Sequence, residues 1–396
     1  MSKHAVVIVG GGFAGAKAAL ELADDKNIRA TLVSDRPDFQ YYPALYRTAT
    51  GGSRVLSTIP LDELFKSRDV EVVIDSLASL DREKKTIKTS GKKNIPYDSL
   101  VLALGVQTNY FGIPGLEEFS YGIKTVNDAE RFKKHLHRQI VEEKKPDVNY
   151  VIIGGGPTGI EVAAELPAYI REICKNHGLK RPKLHVDLIE AAPRLLPNMS
   201  KDYSRAITKR LRSLGVHLYL GTAVQAQTAD NIMVHDKRIN SHTVVWTAGV
   251  TNHPFYKEHD FQLGPRGKVR VNQFLQAEKD IYVIGDNADT PYSGMAQTAI
   301  YDGKYIAHQL SRIAHDLEAH PYIAKHPVYV IPVGKRWAAV SWGSVRTYGL
   351  MGWFLRRMAD LIGYHDYEPF FSAGTRWLHE DTPEDLCMNC SESTAS

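Results

Sequence analysis

Two stretches of the chain share one pattern: a short unbroken apolar run, a cluster of glycines, then apolar positions at helical spacing. The first is AVVIVGGGFAGAKAALEL at 5–22 and the second is YVIIGGGPTGIEVAAEL at 150–166. A run of Val and Ile closed by turn residues predicts a strand buried on both faces, and the periodic stretch after the glycines predicts a helix packed back on it. The copies lie about 140 residues apart, the scale of a domain rather than of a solenoid repeat. Each reads as one strand–turn–helix unit of a doubly wound parallel sheet.

Between the copies, a buried strand is expected at 99–104, ending in Gly105. A helix with Ala129, Phe132, Leu136 and Ile140 on one face follows, closed by Pro146. After the second copy, LHVDLIE, GVHLYLGTAV and SHTVVWTAGV read as strands, and DIYVIGDNAD reads as another that ends on Asp286 before a further helix. From about residue 327 the pattern changes to aromatic-rich strands and then to an amphipathic stretch at 349–364. The polar segment 380–396 reads as a loose tail.

The chemistry legible in these units is phosphate binding. Gly10, Gly12 and Gly15 stand at GxGxxG spacing: the first for a tight turn, the second for close approach of backbone to a pyrophosphate, the third for packing of helix on strand. The helix N-terminus adds roughly half a positive charge. Twenty residues after Gly15, Asp35 is placed to accept from a ribose hydroxyl. In the second unit the glycines are Gly154, Gly156 and Gly159 and the acid is Glu190. A carboxylate there accepts from a 2′-hydroxyl and repels a 2′-phosphate, which favours NADH over NADPH, although Arg194 is near enough to soften the preference. Two cradles imply two dinucleotides: a flavin that stays and a nicotinamide that visits. Asp286, an acid between strand and helix, stands where a flavin's ribityl or phosphate arm is gripped.

Composition narrows the setting. A chain of 396 residues has room for two or three domains and an ample core. Its net charge of +4, with no basic block, implies no nucleic-acid partner. Three cysteines and an N-terminus that runs almost directly into a strand point to a reducing compartment without a cleaved signal. No apolar run approaches the roughly 20 residues of a spanning helix, so membrane contact would be peripheral.

The segments VVIVGGGFAG, LVLALG, GGGPTGIEVAAEL, LIEAAPRLLP, VVWTAGV, YVIGDNAD and AQTAIYDGKYIA occur in an order that resembles the type II NADH:quinone oxidoreductases, within the two-dinucleotide-binding flavoproteins. The resemblance implies an α/β fold with two Rossmann-like dinucleotide-binding domains, the second inserted in the first, plus a C-terminal α+β region. The implied division is 1–113 with 246–325 for FAD, 114–245 for NADH, and 326–396 as the C-terminal region. It also implies FAD held by Gly10, Gly12, Gly15, Asp35, Gly105 and Asp286, and NADH facing Gly154, Gly156, Gly159 and Glu190. Hydride passes to the flavin and two electrons leave to a membrane quinone. Glu161 matches the family's glutamate near nicotinamide, flavin and quinone. It also reads as a first-turn acid that complements the helix dipole. Gln297 matches the family's quinone-side glutamine, and Tyr301 stands where many members carry a second glutamine. A homodimer, peripheral on the cytoplasmic face of the membrane and moving no protons across it, is the implied setting.

Other chemistries find less support. Disulfide-reducing relatives need a cysteine pair soon after the first glycine turn, and FQYYPALYRTATGG contains none. Sulfide:quinone oxidoreductases likewise need cysteines beside the flavin, whereas Cys174 falls on the helix after the second turn. The pair Cys387 and Cys390 supplies two ligands where a structural zinc needs four, and no metal site is expected. On a helical wheel of 349–364, Gly349, Gly352, Arg356, Asp360 and Gly363 form a narrow polar side. Leu350, Met351, Phe354, Leu355, Met358, Leu361 and Ile362 fill a broad apolar arc, with Trp353, Arg357 and Tyr364 at its flank. The arc suits a membrane interface or burial against the protein body or a twin subunit. Two alternatives to quinone reduction stay open: a soluble NAD(P)H-dependent reductase of a small redox protein or oxygen, and a flavin/NADH redox-sensing binding protein.

Overall fold

The structure, a computed structural model, describes residues 3–180 and 183–379; Cys387, Cys390 and the polar tail lie outside the described residues. In chain order the elements that build the site are β1 (His4–Val9), α1 (Phe13–Leu22), β2 (Ile28–Ser34), α2 (Leu45–Ala49), β3 (Val70–Ile74), β4 (Ser99–Leu102), α3 (Val126–His137), β5 (Tyr150–Ile153), α4 (Pro157–Asn176), β6 (Val186–Glu190), α5 (Lys201–Ser213), β7 (Val216–Leu220), β8 (Thr243–Trp246), β9 (Ile281–Val283), α6 (Ala296–Ala314), α7 (Leu350–His365) and α8 (Phe370–Leu378).

One sheet has the order β9-β4-β1-β2-β3, all parallel, with Gln276–Glu278 added antiparallel at the β9 edge. The other has the order β8-β5-β6-β7, also parallel, with Tyr121–Gly122 beside β8. The chain leaves the first sheet after β4, builds the whole of the second, and returns at β9 to pair Ile281 with Leu100. Trp246 is the last residue of β8. Apolar side chains on both faces of β1 and β5 are buried, as the unbroken runs require.

The units are not separate bodies. Leu45, Tyr46 and Ala49 of α2, which follow β2, join the core around α3, α4 and α5. A C-terminal hairpin sheet of Tyr329–Pro332, Ala338–Trp342 and Val345–Gly349 packs there too, with Tyr203 Oη donating to the Ala339 carbonyl at 2.8 Å. Helices α7 and α8 instead close the first unit: Tyr364 Oη donates to Leu56 O at 2.9 Å and Tyr367 Oη to Phe13 O at 2.7 Å.

Helix α7 is polar inside and apolar outside. Gly352, Arg356, Arg357, Asp360 and Tyr364 are buried, while Leu350, Met351, Phe354 and Ile362 are each more than half exposed. The wheel's narrow polar side is therefore the one that meets the protein. Arg357 and Tyr364, expected at the flank, are both buried: Arg357 under α8, where it donates to Trp377 O at 2.8 Å and lies 4.3 Å from its ring, and Tyr364 against the ring of Tyr41, 4.3 Å away. Phe370, Phe371 and Leu378 extend the exposed apolar surface onto α8. No described helix is long and apolar enough to cross a membrane.

Candidate functional site

The first cleft opens at the carboxyl ends of β1, β2, β4 and β9, the place where doubly wound sheets bind ligands. Its three glycines do different work. A Cβ on Gly10, whose φ is +114°, would lie 2.2 Å from Ala103 O, and one on Gly15 would lie 2.0 Å from Gly10 O. These two let chain pack on chain. A Cβ on Gly12 would meet nothing within 4 Å, so this position faces the cleft itself. Asp35 directly follows β2 with an exposed carboxylate 3.5 Å from Arg36.

The far wall carries Gly105 and Asp286. Asn287 ties it together: its Oδ1 accepts from Gly105 N–H at 2.7 Å, and its Nδ2 donates to Gly105 O and Asn252 Oδ1, both at 2.6 Å. Behind it, buried Asp302 accepts from Gly285 N–H at 2.9 Å and from Tyr322 Oη at 2.5 Å, and burial pushes its carboxyl up to about 6. Asp286 thus hangs on a turn held from both sides. Lys124 and Lys268 both feel its charge, and burial holds both below the usual lysine range. Lys124 Nζ is 4.9 Å from the ring of Tyr42, which also lines the cleft.

The second glycine turn repeats the first. Gly154 has φ +114° and no room for a Cβ beside Ala248, a Cβ on Gly159 would lie 1.9 Å from Gly154 O, and Gly156 is open. Glu190, at the end of β6 as expected, is not idle: Oε2 accepts from Gly155 N–H and Oε1 from Ala192 N–H, both at 2.6 Å. It braces the turn. Arg194 donates to the carbonyls of Leu196, at 3.1 Å, and Pro197.

Glu161 sits just past the first turn of α4, which carries no acid, so the expected first-turn complement to the helix dipole is not found; Glu165 follows one turn on. By surface area the residue is only half-buried, yet enough protein encloses its carboxyl for desolvation to push it up to about 8, against the opposing pull of Arg356 and Arg47. Tyr46, pushed by burial to about 12, feels Arg47, Arg356, Glu161 and Glu165 together, and its Oη accepts from Arg47 Nε at 2.9 Å. Arg356 donates to Pro43 O at 3.1 Å and pairs with Asp360, whose Oδ1 also accepts from Tyr41 Oη at 3.4 Å. The inward face of α7 therefore reaches the neighbourhood of Glu161. The contacts of Gln297 and Tyr301 run elsewhere: Gln297 Oε1 accepts from Val328 N–H at 2.8 Å, and Lys325 Nζ lies 5.3 Å from the Tyr301 ring. Ala296 and Ala299, beside Gln297 on α6, line the first cleft.

Sequence reading missed Asn287, Asp302, Tyr46, Arg47 and Arg356's reach toward Glu161. Asn287 had a signal, since it adjoins Asp286 in GDNAD; the others come from distant segments. Cys174, the one cysteine among the described residues, is buried in the core around α4, and burial pushes its thiol up.

Residues 4–303 match the pyridine nucleotide-disulphide oxidoreductase family. The chain is 28% identical over 400 residues to the type II NADH:quinone oxidoreductase Ndh of Mycobacterium tuberculosis, covering 91% of this chain and 85% of that protein. It is 28% identical over 342 residues to the type II NADH:quinone oxidoreductase of Staphylococcus saprophyticus, covering 80% and 83%. Among solved structures, NDH2 from Plasmodium falciparum in complex with NADH superposes with a TM-score of 0.85 over 96% of this chain and 97% of that one, at 17% identity. The sulfide:quinone oxidoreductase of Aquifex aeolicus gives a TM-score of 0.77 over 98% of each chain, at 20% identity. The resemblance carried by the glycine turns and the segments around them thus extends along nearly the whole chain, which belongs to the pyridine nucleotide-disulphide oxidoreductases and is an oxidoreductase similar to the type II NADH:quinone enzymes.

Proposed function

We propose that this chain is a flavin-dependent NADH:quinone oxidoreductase, peripheral on the cytoplasmic face of a membrane, that takes hydride from NADH and delivers two electrons to a membrane quinone without pumping protons. The unit of 1–113 and 246–325 holds FAD, 114–245 receives NADH, and the C-terminal region seats the protein at the bilayer. The residues fit FAD: the first cleft is open at Gly12, where a Cβ would intrude on a pyrophosphate, and Asp35, Gly105 and Asp286 line the same space. When bound, the flavin supplies the carrier that converts a hydride into a pair of electrons.

The chain's own residues orient the partners and handle protons. Gly154, Gly156 and Gly159 admit the NADH pyrophosphate to the N-terminus of α4, and Glu190 shapes that turn while favouring a free 2′-hydroxyl. Gln297 and Tyr301 give the quinone side hydrogen-bonding groups. Glu161 carries the reading. Its carboxyl, raised to about 8, holds a proton at neutral pH, and it lies near the inward face of a helix whose other face is apolar and exposed. It is suited to donate that proton to a quinone oxygen as electrons arrive.

Anaerobic titration of the yellow protein with NADH should bleach its flavin absorbance, and added ubiquinone or menaquinone analogues should restore it. Glu161→Gln should slow the quinone half-reaction more than the NADH half-reaction. Bleaching without recovery on quinone removes the acceptor assignment and favours a reductase of another acceptor.

A further inference from the structure

Reduction of a quinone by NADH leaves one proton to be found. NADH brings one hydrogen as hydride and the quinol holds two, so NADH + H⁺ + quinone gives NAD⁺ + quinol, with one proton drawn from water in each turnover. If the outward face of α7 rests in lipid, that side is closed to water, and Glu161 must be reloaded from another direction.

Helix α4 offers one. Glu161, Glu165, Tyr169 and Glu172 follow at helical spacing along one face. Glu165, Tyr169 and Glu172 line a cleft of about 360 Å³, ample for several waters, whose opposite walls include Tyr46 and Arg47 of α2 and Trp353 of α7. Glu161 is not among the residues lining this cleft, but Glu165 is, and Glu165 is close enough to act on the Glu161 carboxyl. One carboxyl thus faces both the water-sized space and the proposed acid. Lys335 and Arg336 face the cleft from the hairpin, Arg47 from α2, and Arg356 approaches the same cluster from α7. Tyr169 packs on Gly51, where a Cβ would sit 2.6 Å from its ring, so the wall on that side is fixed.

We propose that this cleft is the path by which the solvent proton reaches Glu161, with Glu165 relaying it from water in the cleft to the Glu161 carboxyl. The inference rests on the reading of Glu161 as the quinone-side acid.

The test uses the flavin-loaded full chain. After a pH jump from about 9 to about 6, infrared absorption follows the carboxylic-acid C=O band that Glu161→Gln abolishes; its return should be about tenfold slower in Glu165→Gln. In stopped flow, reoxidation of the NADH-reduced protein by a soluble quinone analogue falls as pH rises through about 8 in the parent chain, because Glu161 loses its proton there. Glu165→Gln should begin that fall at lower pH, and imidazole, a proton carrier small enough for the cleft, should restore most of the loss. Ala168→Phe fills the cleft without changing an ionisable group and should slow the band's return and shift the fall in the same direction, with little relief from imidazole because the cleft is closed to it. Unchanged band kinetics in both variants overturn the path, as does a loss equal at every pH that imidazole does not relieve. If Glu161→Gln itself leaves quinone reoxidation unaltered, the reading of Glu161 falls, whatever the relay variants do.

Discussion

Gly12 and Gly15 look alike in the fingerprint yet answer to different forces. A methyl group on Gly15 would press on Gly10 O, and one on Gly12 would occupy open cleft. Gly15→Ala should therefore lower stability by about 1–3 kcal/mol through overpacking, read as a shift in chemical denaturation. Gly12→Val should leave that midpoint nearly unchanged and weaken flavin retention instead, read by absorbance after gel filtration. Equal effects of the two on stability would contradict the division. Both residues were legible in the sequence because their spacing alone requires a turn. Glu190 shows the opposite case. Its place at a strand end was legible, but its bonds to Gly155 and Ala192 depend on how the second turn folds back over it.

Helix α7 was legible as an element and as an amphipath, since its period is written in consecutive residues. Which face points inward was not. The polar side turns in because partners wait for it: Pro43 O and Tyr41 around Arg356 and Asp360, and α8 around Arg357. Arg356→Met should cost about 3–5 kcal/mol, because it leaves the Asp360 carboxylate buried and uncompensated. Arg356→Met combined with Asp360→Leu should recover much of that loss, and thermal melting of the single and double variants checks the pair.

At the scale of the molecule, the two units share walls. Segment 41–56 leaves the first sheet, lends α2 to the core of the second, and touches α7 and α8 on the way. The exposed apolar faces of α7 and α8 end up on the surface of this joined body. Sedimentation with anionic vesicles should carry the protein down. Phe354→Ser with Ile362→Ser should weaken that binding about 100-fold, from roughly 1.5 kcal/mol for each apolar side chain withdrawn from lipid. Vesicle binding unaffected by the pair, together with a change from dimer to monomer, would assign the face to a second copy of the chain instead.

The sequence by itself determined whatever is written within one or two turns of chain: two glycine cradles, the strands that feed them, the acids that follow, and the amphipathic C-terminal helix. These depend on local geometry, where period and spacing reflect backbone conformation directly. Only the tertiary structure decided that Asn287 and Asp302 brace the turn bearing Asp286, and that Tyr46, Arg47 and Arg356 gather near Glu161. Those neighbours are brought together by burial of side chains far apart in sequence. The ionisation of a carboxyl such as Glu161 follows from how much water and which charges remain beside it, quantities that no local pattern encodes.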